Sequence, residues 1–122
     1  MLPEGTNVDS FITQQVEASL RPWTRFFYTH DPAKELRKLT IPVLSLIGTN
    51  DVQVPAAMNH PPIRTALEKA GNENYTIKEL EGLNHLFQES KTGSLQEYAQ
   101  IEQTFSPIAL REISTWINKQ VK

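Results

Sequence analysis

The chain predicts an α/β fold, and three observations carry that prediction. Ile41 to Gly48 is a short, nearly continuous apolar run bounded by Pro42 and Gly48, the pattern of a strand covered on both faces. Tyr75 to Leu80 has β-formers at Tyr75, Thr76 and Ile77 with Lys78 and Glu79 after them, the pattern of an outer strand. Between these runs, and again after the second, apolar residues recur at helical spacing. The order strand, helix, strand, helix predicts a βαβα unit with parallel strands and a right-handed crossover.

Taken from the start of the chain, Ile12, Val16 and Leu20 recur at i, i+4, i+8 and predict a helix capped by Asp9 or Ser10. Pro22 ends that helix and opens a second carrying Trp23, Phe26 and Phe27, because proline suits a first helical turn and turns the preceding residue away from helix. An aromatic cluster at this spacing is more often core than the lining of an acyl pocket. His30-Asp31-Pro32 marks the next break, with Asp31 as N-cap and Pro32 opening a short helix through Leu39. After the first strand, Thr49 to Pro55 is loop. Pro61-Pro62 then opens the crossover helix, striped by Ile63, Ala66, Leu67 and Ala70 and ended by Gly71. Past the second strand, Leu83 to Phe105 has little periodicity beyond a turn of helix around Gln96 to Ile101. Ser106 and Pro107 start a final helix with Ile108, Ile113, Trp116, Ile117 and Val121 as its inward face.

A length of 122 residues bounds the chain to one domain, divided into a helical segment over 1–39 and the βαβα unit over 40–122. The absence of cysteine excludes thiol chemistry and a disulfide scaffold. Twelve Lys and Arg against fourteen Asp and Glu, a net charge of −2, lack the basic excess that a nucleic-acid partner requires. No apolar stretch approaches the roughly 20 residues that span a bilayer, so no membrane partner is expected. The first residues lack the basic region and apolar run of a signal peptide, which makes the cytoplasm the default location. A spacing such as H-x-x-x-H is absent, and neither a metal nor a cofactor is expected. The 39% hydrophobic content is low for a self-sufficient domain, and two parallel strands do not make a core alone. A homo-oligomer or a complementary half is therefore the expected partner.

Open α/β sheets bind ligands beyond the carboxyl ends of their strands. The loop after the first strand, Gly48 to Pro55, holds Asp51. The loop after the second, Glu81 to Phe87, holds His85. Strands about 4.8 Å apart bring such loops within reach, and a carboxylate on one imidazole nitrogen frees the other to accept a proton from a nucleophile. The plainer readings stand beside this one. Asp51 suits an Asx-turn, and His85 between Leu83 and Leu86-Phe87 suits a half-buried structural histidine. His30 and His60 lie in turn contexts and are expected in solvent, as are Glu17, Glu35, Glu79 and Glu81. Tyr98 and Phe105 are candidates to cover the His85 loop.

The G-x-x-D-x-x-V-P of Gly48 to Pro55 and the G-L-N-H of Gly82 to His85, with 34 residues between acid and base, resemble the C-terminal half of an α/β-hydrolase-fold serine hydrolase. Bacterial esterases and prolyl-oligopeptidase-like enzymes are the nearest kinds. The resemblance implies that Asp51 matches the triad acid and His85 the triad base, in the chain order Ser, Asp, His. It also implies a C-terminal βαβα portion of that fold with extra N-terminal helices, acting on an ester or amide substrate. The G-x-S-x-G elbow of the family is absent, and the oxyanion loop that precedes it is absent with it. A chain lacking the nucleophile is expected to be nearly inactive alone. Asn59-His60-Pro61-Pro62 departs from the continuous helix of the family and predicts a late helix start. Two other roles follow from the same residues. One is a non-catalytic truncated hydrolase that self-associates through its exposed sheet edge. The other is a module binding an acyl ligand through Trp23 and Phe27.

Overall fold

The computed structural model describes residues 7–121, which divide into two compact units, the first ending at Pro32 and the second beginning at Ala33. In the first, α1 (Val8–Leu20) is capped by Asn7, whose side chain accepts from the Ser10 amide at 3.0 Å. The cap thus falls two residues before the expected Asp9 and three before Ser10, and Asp9 instead puts its charge in the first turn, where the helix dipole favours it. Arg21 is extended, as a residue before proline must be, and α2 (Pro22–Thr29) begins at once. Trp23 and Phe27 stack with ring centroids 5.5 Å apart, and Trp23 remains 73% exposed. The aromatic cluster is therefore a surface feature and not a core, because neither helix of this unit buries a residue.

The second unit holds the sheet. A short α3 (Pro32–Leu36) leads into it and stops before the expected Leu39 in a turn closed by the Lys38 and Leu39 amides. The strands β1 (Val43–Gly48) and β2 (Tyr75–Leu80) pair in parallel with Val43 opposite Tyr75 and Gly48 opposite Leu80. Between them runs α4 (Ala56–Lys69), and a 3-10 turn (Leu95–Gln100) and α5 (Pro107–Gln120) follow. Alternation along β2 shows the layering. Tyr75 and Glu79 face α4, through Tyr75 to Glu68 at 3.1 Å and Glu79 to His60 at 4.0 Å. Lys78 and Leu80 face α5, through Lys78 to Glu112 at 2.6 Å and the packing of Leu80 on Leu83 and Ala109. The helices thus cover opposite faces.

The crossover helix begins at Ala56, five residues before the expected Pro61, and carries Pro61 and Pro62 in its interior. Each proline removes a donor that would reach the carbonyl four residues back. Those carbonyls belong to Ala57 and Met58 on the exposed side, where they are open to solvent, while Ala56, His60, Ala66 and Leu67 are buried and hold the helix in place. The other end follows expectation. Gly71 donates to the Glu68 carbonyl and Asn72 to the Leu67 carbonyl, both at 3.0 Å, the paired bonds of a Schellman stop.

The first strand is less covered than its sequence implies. Ile47 and Gly48 are buried, but Val43 to Leu46 are only half-buried. The Val43 and Thr49 amides donate to Asn74 and Leu80, so odd positions of β1 bond toward β2 and the amides of Leu44 and Leu46 point to the other edge. Among the described residues no strand lies there. An open apolar groove lined by Val43, Leu44, Leu46, Ile113, Trp116 and Ile117 runs beside that edge. For the same reason α5 buries Ala109 rather than its whole apolar stripe, and Ile108, Ile117 and Val121 stay exposed.

Candidate active site

Both loops at the carboxyl end of the sheet are built for close approach. Gly48 ends β1 where a Cβ would run into the Leu83 carbonyl, so a bare backbone lets the acid loop lie directly on the base loop. The Asn50 amide donates to the Leu83 carbonyl at 3.0 Å, and Thr49 Oγ1 accepts from the Gly82 amide at 2.8 Å. These bonds join the two loops before either functional side chain is considered.

Asp51 uses its two carboxylate oxygens for different tasks. Oδ1 accepts from the amides of Gln53 at 3.0 Å and Val54 at 2.8 Å, closing the Asx-turn that its sequence context suggests. Oδ2 lies 2.9 Å from His85 Nδ1. The plainer reading and the sharper one therefore both describe this residue. The Asp51 side chain is buried, with 6% of its surface exposed, and that of His85 is 38% exposed.

His85 is set by the residue before it. Asn84 is fully buried, with Oδ1 accepting from the Leu86 amide at 3.0 Å and the Gln88 amide at 2.9 Å while Nδ2 donates to Gln88 Oε1 at 2.9 Å. Phe87 adopts a left-handed φ of 55°, which closes the loop, and its ring packs against Phe105 with centroids 5.4 Å apart. Phe105 thus backs the loop as expected. Tyr98 instead accepts a hydrogen bond from Gln53 Nε2 at 2.9 Å, on the acid loop.

An ionised carboxylate only accepts, so a neutral imidazole that donates to Asp51 from Nδ1 has its lone pair at Nε2. Among the described residues the ring makes no other hydrogen bond. The arrangement accepts a proton at Nε2 and stabilises the resulting imidazolium through Asp51. Among the described residues no serine hydroxyl bonds to Nε2: Ser90 Oγ accepts from Asn50 Nδ2 and donates to the Gly82 carbonyl, Ser94 and Ser106 cap helical turns, and Ser45 lies within β1.

His60 departs from expectation. It is buried against the sheet, not solvated, and its Nε2 has no hydrogen-bond partner among the described residues. Burial lowers its pKa below 6.5, nearby Arg64 adds to the lowering, and Glu79 opposes it. Sequence reasoning missed this because Pro61 and Pro62 read as a helix start, which puts His60 in a turn. The residues that anchor the loops, Asn50, Gln53 and Asn84, were also missed, since amides in loops carry no periodic signal. Among the described residues no cluster of three or more His, Asp or Glu side chains is arranged to hold a metal, and no helix is long and apolar enough to cross a membrane.

The fold and site together define a small α/β chain with a carboxylate–imidazole pair at the carboxyl end of a parallel sheet. No family model, curated protein or solved structure matches it.

Proposed function

We propose that this chain supplies the acid and base of a Ser-Asp-His triad for ester or amide hydrolysis, with the serine and its oxyanion-binding amides contributed by another polypeptide segment. The observation that carries the reading is the 2.9 Å contact of Asp51 Oδ2 with His85 Nδ1, formed from two adjacent strand ends and leaving Nε2 open. In the completed site the serine oxygen attacks the substrate carbonyl as its proton passes to His85 Nε2. Asp51 holds the imidazolium through Nδ1. The tetrahedral adduct collapses, the C–O or C–N bond breaks, and the leaving group takes the proton from Nε2. Water then attacks the acyl-serine with His85 again as base, releasing the acid and restoring the serine.

The bare edge of β1 is where a further parallel strand of such a segment adds, since its unpaired amides and the uncharged groove beside it favour an apolar strand. The test combines the chain with a serine-bearing hydrolase half and follows nitrophenyl acetate hydrolysis. Activity that appears only in the mixture and is lost with His85→Ala and Asp51→Asn supports the reading. Background rates in every mixture overturn it. The same bare edge favours a second reading, a non-catalytic chain that self-associates there. Light scattering at micromolar concentration distinguishes the two, because that reading requires an oligomer of the chain alone.

A further inference from the structure

Asp51 sits between two straps that run to one distant segment. On its N-terminal side, Asn50 Nδ2 donates to the Ser90 carbonyl at 2.8 Å and approaches Ser90 Oγ at 3.3 Å. On its C-terminal side, Gln53 Nε2 donates to the Tyr98 hydroxyl at 2.9 Å. The segment between these anchors is shaped by Glu97, whose carboxylate accepts from the Thr92 amide at 3.2 Å and the Gly93 amide at 3.0 Å. That cradle brings the Gly93 backbone onto the Asn50 carbonyl, where any Cβ would collide, with Gly93 at a φ of 73°.

We propose that Ser90–Gln100 is a clasp that positions the Asp51 carboxylate, with Asn50 and Gln53 as its positioning residues and Glu97 setting its turn. This rests on the acid–base reading of Asp51 and His85. The mechanical link is the Asx-turn: because Oδ1 is tied to the amides of Gln53 and Val54, the carboxylate moves with its loop, and whatever fixes the loop fixes Oδ2. The segment adds little to the core. From Lys91 to Gln100 only Gly93 is buried, and Leu95 is 61% exposed. Its long-range hydrogen bonds go instead to the residues on either side of Asp51. Desolvation raises the pKa of the Glu97 carboxyl, but hydrogen bonds from the Thr92 amide and hydroxyl and from the Gly93 and Lys91 amides outweigh this and hold it below the ordinary value.

The experiment reads the Asp51–His85 bond itself, as the solvent-exchange rate of the His85 Nδ1 proton in the 15N-labelled full chain, with Asp51→Asn as the unbonded reference. Asn50→Ala and Gln53→Ala are each expected to raise that rate about three- to tenfold, the effect of losing one strap hydrogen bond. Tyr98→Phe removes a single hydroxyl at the surface and leaves the fold standing, and it is expected to match Gln53→Ala. Asn72→Ala unties the Leu39 and Ile41 carbonyls at the far end of the sheet. It is expected to lower the thermal midpoint while leaving the exchange rate within about twofold, since its bonds do not reach the acid loop. An unchanged rate in Asn50→Ala and Tyr98→Phe overturns the proposal, as does an equal rise in Asn72→Ala. Should Asn50→Ala not fold, Tyr98→Phe decides alone. A wild-type rate equal to that of Asp51→Asn overturns the bond the clasp is meant to hold. A failed esterase assay with a serine-bearing half does not alter these rates, so the two readings fail separately.

Discussion

Replacing Asn84 by alanine should destabilise this protein strongly, and the structure sets the size of the loss. Asn84 is fully buried and its side chain makes three hydrogen bonds, to the Leu86 amide, the Gln88 amide and Gln88 Oε1. Leu86 is exposed, so its amide turns to water at little cost. Gln88 is 7% exposed, and its amide and Oε1 lose their partners where water does not readily reach. A buried group left unsatisfied costs about 1–3 kcal/mol, so two such groups imply roughly 2–6 kcal/mol in all. Gln88 is not free to turn and compensate, since its Nε2 already donates to the Gln103 carbonyl at 2.8 Å. Against a total stability of about 5–15 kcal/mol for a domain, urea unfolding should show a large fall in midpoint with little change in slope. Asn84→Asp keeps the two accepting roles but sets a second acceptor against Gln88 Oε1, and should cost nearly as much. A loss under about 1 kcal/mol for Asn84→Ala would refute the argument that buried amide bonding shapes the His85 loop.

Three further outcomes follow from the same geometry. Since burial depresses the pKa of His60, the unfolded chain binds a proton below about pH 6.5 that the native chain resists. His60 thus contributes stability that is fully present above that pH and lost as pH falls, and urea midpoints between pH 8 and pH 5 should fall more steeply for wild type than for His60→Phe. Gly48→Ala should cost about 1–3 kcal/mol in chemical denaturation, because the added methyl meets the Leu83 carbonyl and neither backbone yields easily. Pro62→Ala restores a donor to the Met58 carbonyl; a gain of about 3 kcal/mol for removing an interior proline, less about 1 kcal/mol for the freer unfolded chain, predicts about 2 kcal/mol of added stability. Calorimetry showing a lower midpoint for Pro62→Ala would contradict that balance.

Much of the architecture was legible in local chemistry. A nearly continuous apolar run marked β1, the β-formers Tyr75, Thr76 and Ile77 marked β2, Gly71 marked the end of α4, and Ser106 with Pro107 marked the start of α5, because each of these signals acts within a few residues. The meeting of Asp51 with His85 was legible for a related reason: both lie just beyond strand ends, and parallel pairing of adjacent strands leaves their loops side by side. Where local rules failed, a neighbour overruled them. Pro61 and Pro62 read as a helix start, yet contacts of Ala56, His60 and Leu67 with the sheet carry the helix through both prolines. Trp23, Phe26 and Phe27 read as core, yet the helices they stand on bury nothing.

The sequence by itself determined the order of elements, the parallel pair and the two residues at its carboxyl end, since periodicity, proline, glycine and capping residues act locally. Only the tertiary structure decided that most of β1 is half-buried, that His60 is buried without a partner for Nε2 among the described residues, and that Asn50, Gln53 and Asn84 anchor the loops around Asp51 and His85. Burial and amide hydrogen bonding depend on which groups distant segments bring together, and no pattern along the chain encodes them.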